Sequence, residues 1–163
     1  MEAQGIEASL YKVVPRTLVF IRCRDRVLLI RRSPESRVMP GMLNGVGGHV
    51  EAGEGLAESA RREVLEETGL HITGLRLVGL LHVTEVHQQE GVLVAVFTAQ
   101  AQCDDGTPSA EGELRWVAAD ELGDLDLVPD LRQLLPLVTS DEPLEAFVAS
   151  KAGDPVAPLR FSA

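Results

Sequence analysis

The sequence predicts an α+β fold in which a mixed β-sheet is sandwiched between helices as α/β/α layers. Three observations lead there. Apolar, β-branched runs recur along the chain. Two helical patterns are set among them. Strands and helices do not alternate regularly, which disfavours a purely parallel sheet. With 163 residues there is room for one domain with a real core, so 1–163 is read as a single unit. Hydrophobic residues are 45% but aromatics only 4%, so that core must be mostly Leu, Val and Ala.

The elements follow in order. Thr17 to Cys23 and Val27 to Arg32 are apolar runs joined by the polar Arg24-Asp25-Arg26, which reads as a hairpin. The stretch "SPESRVMPGMLNG" carries Pro34, Pro40, Gly41 and Gly45 as breakers and reads as a loop. "VGGHV" reads as a short glycine-rich strand. A helix is expected over Leu56 to Thr68, stopped by Gly69, which adopts the left-handed conformation cheaply. Strands are expected at Leu75 to Val86, Val92 to Ala101 and Leu114 to Ala118. "ADEL" starts a turn or short helix. Val128 to Val138 is helical, with Pro136 expected to bend or shorten it. The tail from Leu144 shows no clear pattern.

The net charge of −10 argues against a nucleic-acid backbone as the main partner. A small phosphorylated ligand remains compatible, because a bound cation inverts the local field. The two cysteines, Cys23 and Cys103, have no metal-ligand spacing, and two buried thiols are expected in preference to a disulfide. The first residues carry early acids and no long apolar run, so neither a signal peptide nor a membrane span is expected, and the default location is the cytoplasm.

The segment "GGHVEAGEGLAESARREVLEETGL" crowds six glutamates into Gly47 to Leu70. On a helical wheel Ala57, Ala60, Val64 and Thr68 form one face with Leu65 beside them, which should meet the core. Glu63, Glu66 and Glu67 fall together at i,i+3 and i,i+4 on the other side. Like charges at that spacing destabilise a helix by a few tenths of a kcal/mol per pair, and acids near its C-terminus oppose the dipole. A divalent cation offsets both, since Mg²⁺ takes one or two carboxylates with waters and substrate phosphates. Arg62 is placed to pair with Glu58 and Glu66 at i±4. A solvated acidic face is the plainer reading, but it leaves the upstream glycines and Glu54 unexplained.

Those residues resemble a family signature. Gly48, five residues, Glu54, seven residues, then Arg62-Glu63-Val64-Leu65-Glu66-Glu67-Thr68-Gly69-Leu70 looks like the complete box of the Nudix hydrolases, covering 48–70. The resemblance implies the Nudix fold. It also implies cleavage of a diphosphate linkage in a nucleoside diphosphate attached to another group, with Mg²⁺ as cofactor and Mn²⁺ as a substitute. Glu63, Glu66 and Glu67 would ligate metal or activate water, with the Gly47 carbonyl as a further ligand and Glu54 behind them. Glu63 is the narrow favourite for the base.

Further stretches are similar to the branch that hydrolyses purine nucleoside triphosphates, oxidised ones included, to monophosphate and pyrophosphate. Asn44 matches a base-contacting asparagine and Thr17 a pocket residue on the first strand. Glu111, with Glu113 as a rival, matches an extra metal-binding glutamate. Asp130 matches a purine-recognising aspartate, while Val128 replaces a stacking tryptophan and Leu131 an expected second acid. Trp116 reads as core. At most one of Arg31 and Arg32 should face the phosphates, since side chains alternate along a strand, and the sequence does not decide which. The alternatives are an ADP-ribose or dinucleoside polyphosphate pyrophosphatase, or a catalytically silent nucleotide-binding regulator. The partner expected is a small nucleotide substrate, with no nucleic acid and no membrane. A homodimer is common for such folds, though nothing in the sequence requires one.

Overall fold

A computed structural model of the chain describes residues 10–87, 89–103, 112–140 and 145–162, without the side chain of Glu85. Eight strands form one sheet: β1 (Lys12–Cys23), β2 (Arg26–Arg32), β3 (Leu43–Asn44), β4 (Thr73–His87), β5 (Glu90–Gln100), β6 (Gly112–Ala118), β7 (Phe147–Lys151) and β8 (Arg160–Ser162). Their order is β3-β2-β1-β5-β4-β7-β8, with β6 also on β2. β1 with β5 and β4 with β7 are parallel, and the other pairs are antiparallel. The sheet is therefore mixed, as expected.

Helix α1 (Leu56–Thr68) has the expected bounds. Its first turn is capped by Glu58, whose carboxylate accepts from Gly55 N at 2.8 Å. Its end is Gly69 at φ 69°, donating to Leu65 O at 2.9 Å. A 3₁₀ turn spans Ala119–Asp124. Helix α2 (Pro129–Thr139) is not shortened at Pro136. Leu131, Leu134, Leu135 and Val138 anchor it to the core on both sides of the proline, which outweighs the lost backbone bond.

The period-two alternation of β1 divides the core. Val19 and Ile21 turn to one face, where they meet Leu28, Ala60 and Val64 of α1. Phe20 turns to the other, among Leu29, Leu43, Val96 and the α2 leucines. Each fully buried branched side chain, such as Val64, contributes roughly 1.5–3 kcal/mol. Trp116 packs at the edge of the α1 cluster, in keeping with a core role.

Other expectations change. "VGGHV" is not a continuous strand; it contributes isolated bridges of Val46 to Val19 and His49 to Arg16. Leu43–Asn44, expected in a loop, pairs with Ile30 and Arg31 of β2. The unpatterned tail supplies β7, which lies along β4, and β8. Cys23 and Cys103 are joined in a disulfide, not free. The reason is the parallel β1–β5 register, which matches Arg22 to Gln100 and sets both strand ends side by side, with Cα atoms 5.5 Å apart.

This bridge closes a loop of sequence separation 80. Its removal by Cys103→Ser is expected to lower the unfolding free energy by about 2–4 kcal/mol. Urea titration of wild type and variant, with and without reductant, checks this; equal midpoints in all four samples would contradict the bridge.

Candidate active site

The site is organised by the chain crossing β1 at Gly47 and Gly48. Thr17 N donates to Gly48 O at 2.9 Å and Val19 N to Val46 O at 2.7 Å. Gly47 has φ 149°, and a Cβ there would overlap the Thr17 carbonyl oxygen. A Cβ on Gly48 would fall on the Glu63 carboxylate. Two side-chain-free residues thus let backbone approach both a strand and an acidic helix.

The acidic helix is rotated relative to the expected wheel. The buried residues of α1 are Ser59, Ala60, Val64, Glu67 and Thr68, while Ala57 and Leu65 are exposed. Glu67 is therefore on the inner edge, 6% exposed, and its Oε2 accepts from Gly47 N at 3.0 Å. Sequence periodicity favours apolar residues for the core face, so it selected Leu65 over a carboxylate. Glu63 is half-buried beside the glycines, and Glu66 points outward.

Arg62 gathers the remaining acids. Its Nε and Nη2 grip Glu54 at 2.8 and 2.9 Å, and its Nη1 reaches Glu63 at 3.0 Å and Glu66 at 3.1 Å. Nη2 also donates to His49 O at 3.0 Å. The expected partner Glu58 is instead engaged in the cap. The bidentate bond from Arg62 holds the Glu54 carboxyl at about 2, below its ordinary value of 4.5. The same bond raises the arginine further above its ordinary range.

Two adjoining cavities, each about 360 Å³, meet at this crossing. Both are lined by Arg16, Arg32, Asn44, Gly45 and Gly47. One is polar and includes Glu67, Ser33 and Ser36. The other is walled by apolar residues such as Leu81, Val83, Val94 and Val128, and holds Thr17 and Asp130. Among the described residues, Thr17 Oγ1 is buried without a hydrogen-bond partner.

The substrate-facing expectations divide as follows. Arg32 lines both cavities, steadied by Nε to Val38 O at 2.8 Å and Nη2 to Ser36 Oγ at 2.8 Å. Arg31 instead donates to Gly41 O at 2.9 Å and lines neither. Thr17, Asn44 and Asp130 share the apolar cavity, with Asn44 Oδ1 accepting from Gly45 N at 2.9 Å. Glu111 lies outside the described residues. Sequence reasoning missed Lys151, a buried cation at the end of β7 whose Nζ meets Asp130 Oδ1 at 2.7 Å.

Among the described residues no group of three or more His, Cys, Asp or Glu side chains is arranged as a ready metal cage. The donor set still suits Mg²⁺, which keeps waters and substrate oxygens in most positions. The Glu63 carboxylate lies in the space a Gly48 side chain would fill, and Glu67 borders the polar cavity at Gly47. No helix among the described residues is long and apolar enough to cross a membrane.

Comparisons with known proteins agree with this geometry. The family model described as the NUDIX domain matches residues 12–138. An oxidized purine nucleoside triphosphate hydrolase of Mus musculus is 36% identical over 124 residues, covering 75% of this chain and 77% of that protein. An NAD-capped RNA hydrolase NudC of Pseudomonas syringae pv. syringae is 28% identical over 148 residues, covering 90% of this chain but 48% of its own length. The crystal structure of a MutT protein from Bacillus halodurans superposes with a TM-score of 0.74 at 21% identity, covering 92% of this chain and 98% of that one. That likeness establishes the fold.

The lowered carboxyl of Glu54 has a sign. Its stabilisation is complete above about pH 4.5 and is lost as pH falls from there toward 2. Wild type is therefore expected to exceed Glu54→Gln in urea midpoint near neutrality, with the gap narrowing as pH falls through that window. A gap that stays constant with pH would contradict the pairing.

Proposed function

Because the chain belongs to the NUDIX family, we propose that it hydrolyses a nucleoside triphosphate, oxidised purine nucleotides included, to the monophosphate and pyrophosphate. At the coarser level it is a Nudix hydrolase, an enzyme acting on nucleoside diphosphate derivatives. The observation that carries the finer reading is the junction of the two cavities. An apolar cleft sized for a base opens, across Gly45 and Gly47, onto a polar chamber bordered by Glu67 and Arg32.

In this reading the base lies against Val128 and Leu81, with Thr17, Asn44 and Asp130 meeting its polar edge. The phosphate chain runs past Arg32, whose guanidinium is pre-set by its bonds to Val38 and Ser36. Glu63, Glu66, Glu67 and the Gly47 carbonyl would hold Mg²⁺, with Mn²⁺ as a substitute and Glu111 as a further donor. The ion would supply charge neutralisation on the phosphate oxygens and a nucleophile at neutral pH. A carboxylate of this set, Glu63 foremost, takes the proton of the attacking water as the anhydride P–O bond breaks. Arg62 fixes Glu63 and leaves the inner Glu67 to Gly47. The mouse relative, named for oxidised purine nucleoside triphosphates, supports the substrate class.

The experiment is a panel of normal and oxidised nucleoside triphosphates, ADP-ribose, NAD and dinucleoside polyphosphates, with Mg²⁺, with Mn²⁺ and with chelator. Triphosphate turnover that needs a divalent ion is expected. Glu67→Gln is expected to lower kcat by at least about 100-fold while the protein stays folded. Near-normal turnover in that variant would remove Glu67 from the machinery. Turnover confined to the dinucleotides would move the substrate assignment.

A further inference from the structure

The two sides of the apolar cavity are held differently. One side is the sheet, where Leu81 pairs with Val94 and Val83 with Val92 across β4 and β5. The other side is the start of α2 together with the connection from β7 to β8, which supplies Gly153 and Pro155. That connection is anchored at its ends by the buried Lys151 and Leu159, and residues 152–158 between them are all exposed or half-buried. Its own hydrogen bonds among the described residues are local: Val156 N donates to Asp154 Oδ1 and Ala157 N to Asp154 O, both at 3.0 Å. A segment with little buried area and few bonds to the rest of the fold belongs to the low end of local stability.

One side chain ties this segment down. Lys151 is 3% exposed, and its Nζ donates to Pro155 O at 2.9 Å and to Asp130 Oδ1 at 2.7 Å. Its own carbonyl accepts from Thr84 Oγ1 of β4 at 3.2 Å. A single ammonium thus joins the first turn of α2, the end of β7 and the middle of the connection, three parts that wall the cavity. A buried ion pair is a poor source of stability, since apolar residues in its place are often neutral or stabilising. An apolar residue at 151 could not hold Pro155, whose carbonyl would lose this donor and the connection its bond to the strand. We propose that Lys151 is a positioning residue: it fixes the β7–β8 connection against the start of α2, and so sets the width of the apolar cavity and the bulk of the base it admits. The sheet side stays in place, so the gap opens or closes with the tied side. The inference rests on the reading above only in placing a nucleotide base in the apolar cavity.

The test compares plain and bulky bases: GTP with N2-benzyl-GTP and ATP with N6-benzyl-ATP for hydrolysis in Mg²⁺, and the corresponding monophosphates for calorimetric binding in chelator. Wild type, Lys151→Met and Asp154→Ala are examined. Wild type is expected to favour the plain base at least about 30-fold in one or both pairs, because a fixed pocket resists overfilling. Lys151→Met should shrink that preference at least about 10-fold, through a lower KM for the benzylated nucleotide and not a changed kcat. Peptides covering 152–158 should exchange their amide hydrogens at least about 10-fold faster in Lys151→Met, with peptides of the β1 core changing less. Should Lys151→Met fail to fold, Asp154→Ala carries the test: it removes an exposed side chain that braces the connection, and should shrink the preference at least about 3-fold. A wild type that takes plain and benzylated bases alike, variants that leave the preference unchanged, or unaltered exchange at 152–158 in Lys151→Met would overturn the inference. If no triphosphate is hydrolysed yet the monophosphates show the size preference and the variants relax it, Lys151 keeps its role and the triphosphatase reading falls. If the triphosphates are hydrolysed and no variant alters the preference, the reverse holds.

Discussion

Everything at this site depends on the chain passing over β1 with no side chain in the way. At Gly47 the backbone lies against the Thr17 carbonyl, and at Gly48 against the Glu63 carboxylate. Both contacts are closer than any Cβ permits. One side of the crossing is the strand that floors the apolar cavity; the other is the helix that carries the acids. The glycine pair therefore stands at the junction of the apolar and the polar cavity. The Gly47 amide gives the arrangement a polar lock through its bond to the buried Glu67 carboxylate.

The helix beyond the crossing resolves a conflict of local rules. Three acids near the C-terminal end of α1 repel one another and oppose the dipole, each effect amounting to tenths of a kcal/mol. Arg62 answers two of the three, and its fork reaches back to Glu54 in the preceding loop. Glu67 is turned inward, onto the Gly47 amide. The helix thus carries an outer cluster of acids gathered on Arg62 and an inner carboxylate on the Gly47 amide, and the same arginine ties the loop to the helix through the His49 carbonyl.

Much of this was legible before the structure. Strong, local signals carried: the left-handed glycine closing α1, the alternation in β1, and the hairpin at Arg24-Asp25-Arg26. The periodicity predicts the helix and its bounds, while its rotation differs from the wheel because Glu67 is buried by its hydrogen bond to a backbone amide and not by hydrophobicity. The signals that failed were long-range. Lys151 sits in a five-residue strand with no helical or amphipathic pattern, and its place follows from pairing with β4. The disulfide follows from the β1–β5 register, which neither cysteine's neighbours disclose. Of Arg31 and Arg32, period-two geometry allowed one to face the cavity; only the fold of the intervening loop, with Gly41 taking Arg31, decided which.

Strand β7 lies beyond the matched domain span, which ends at residue 138. It lies between β4 and β8, parallel to β4, and brings Lys151 to the cavity wall. The wall of the apolar cavity and the acidic helix thus draw on different stretches of chain. Another segment in the place of β7 would therefore reshape the wall of the apolar cavity while leaving the acidic helix untouched.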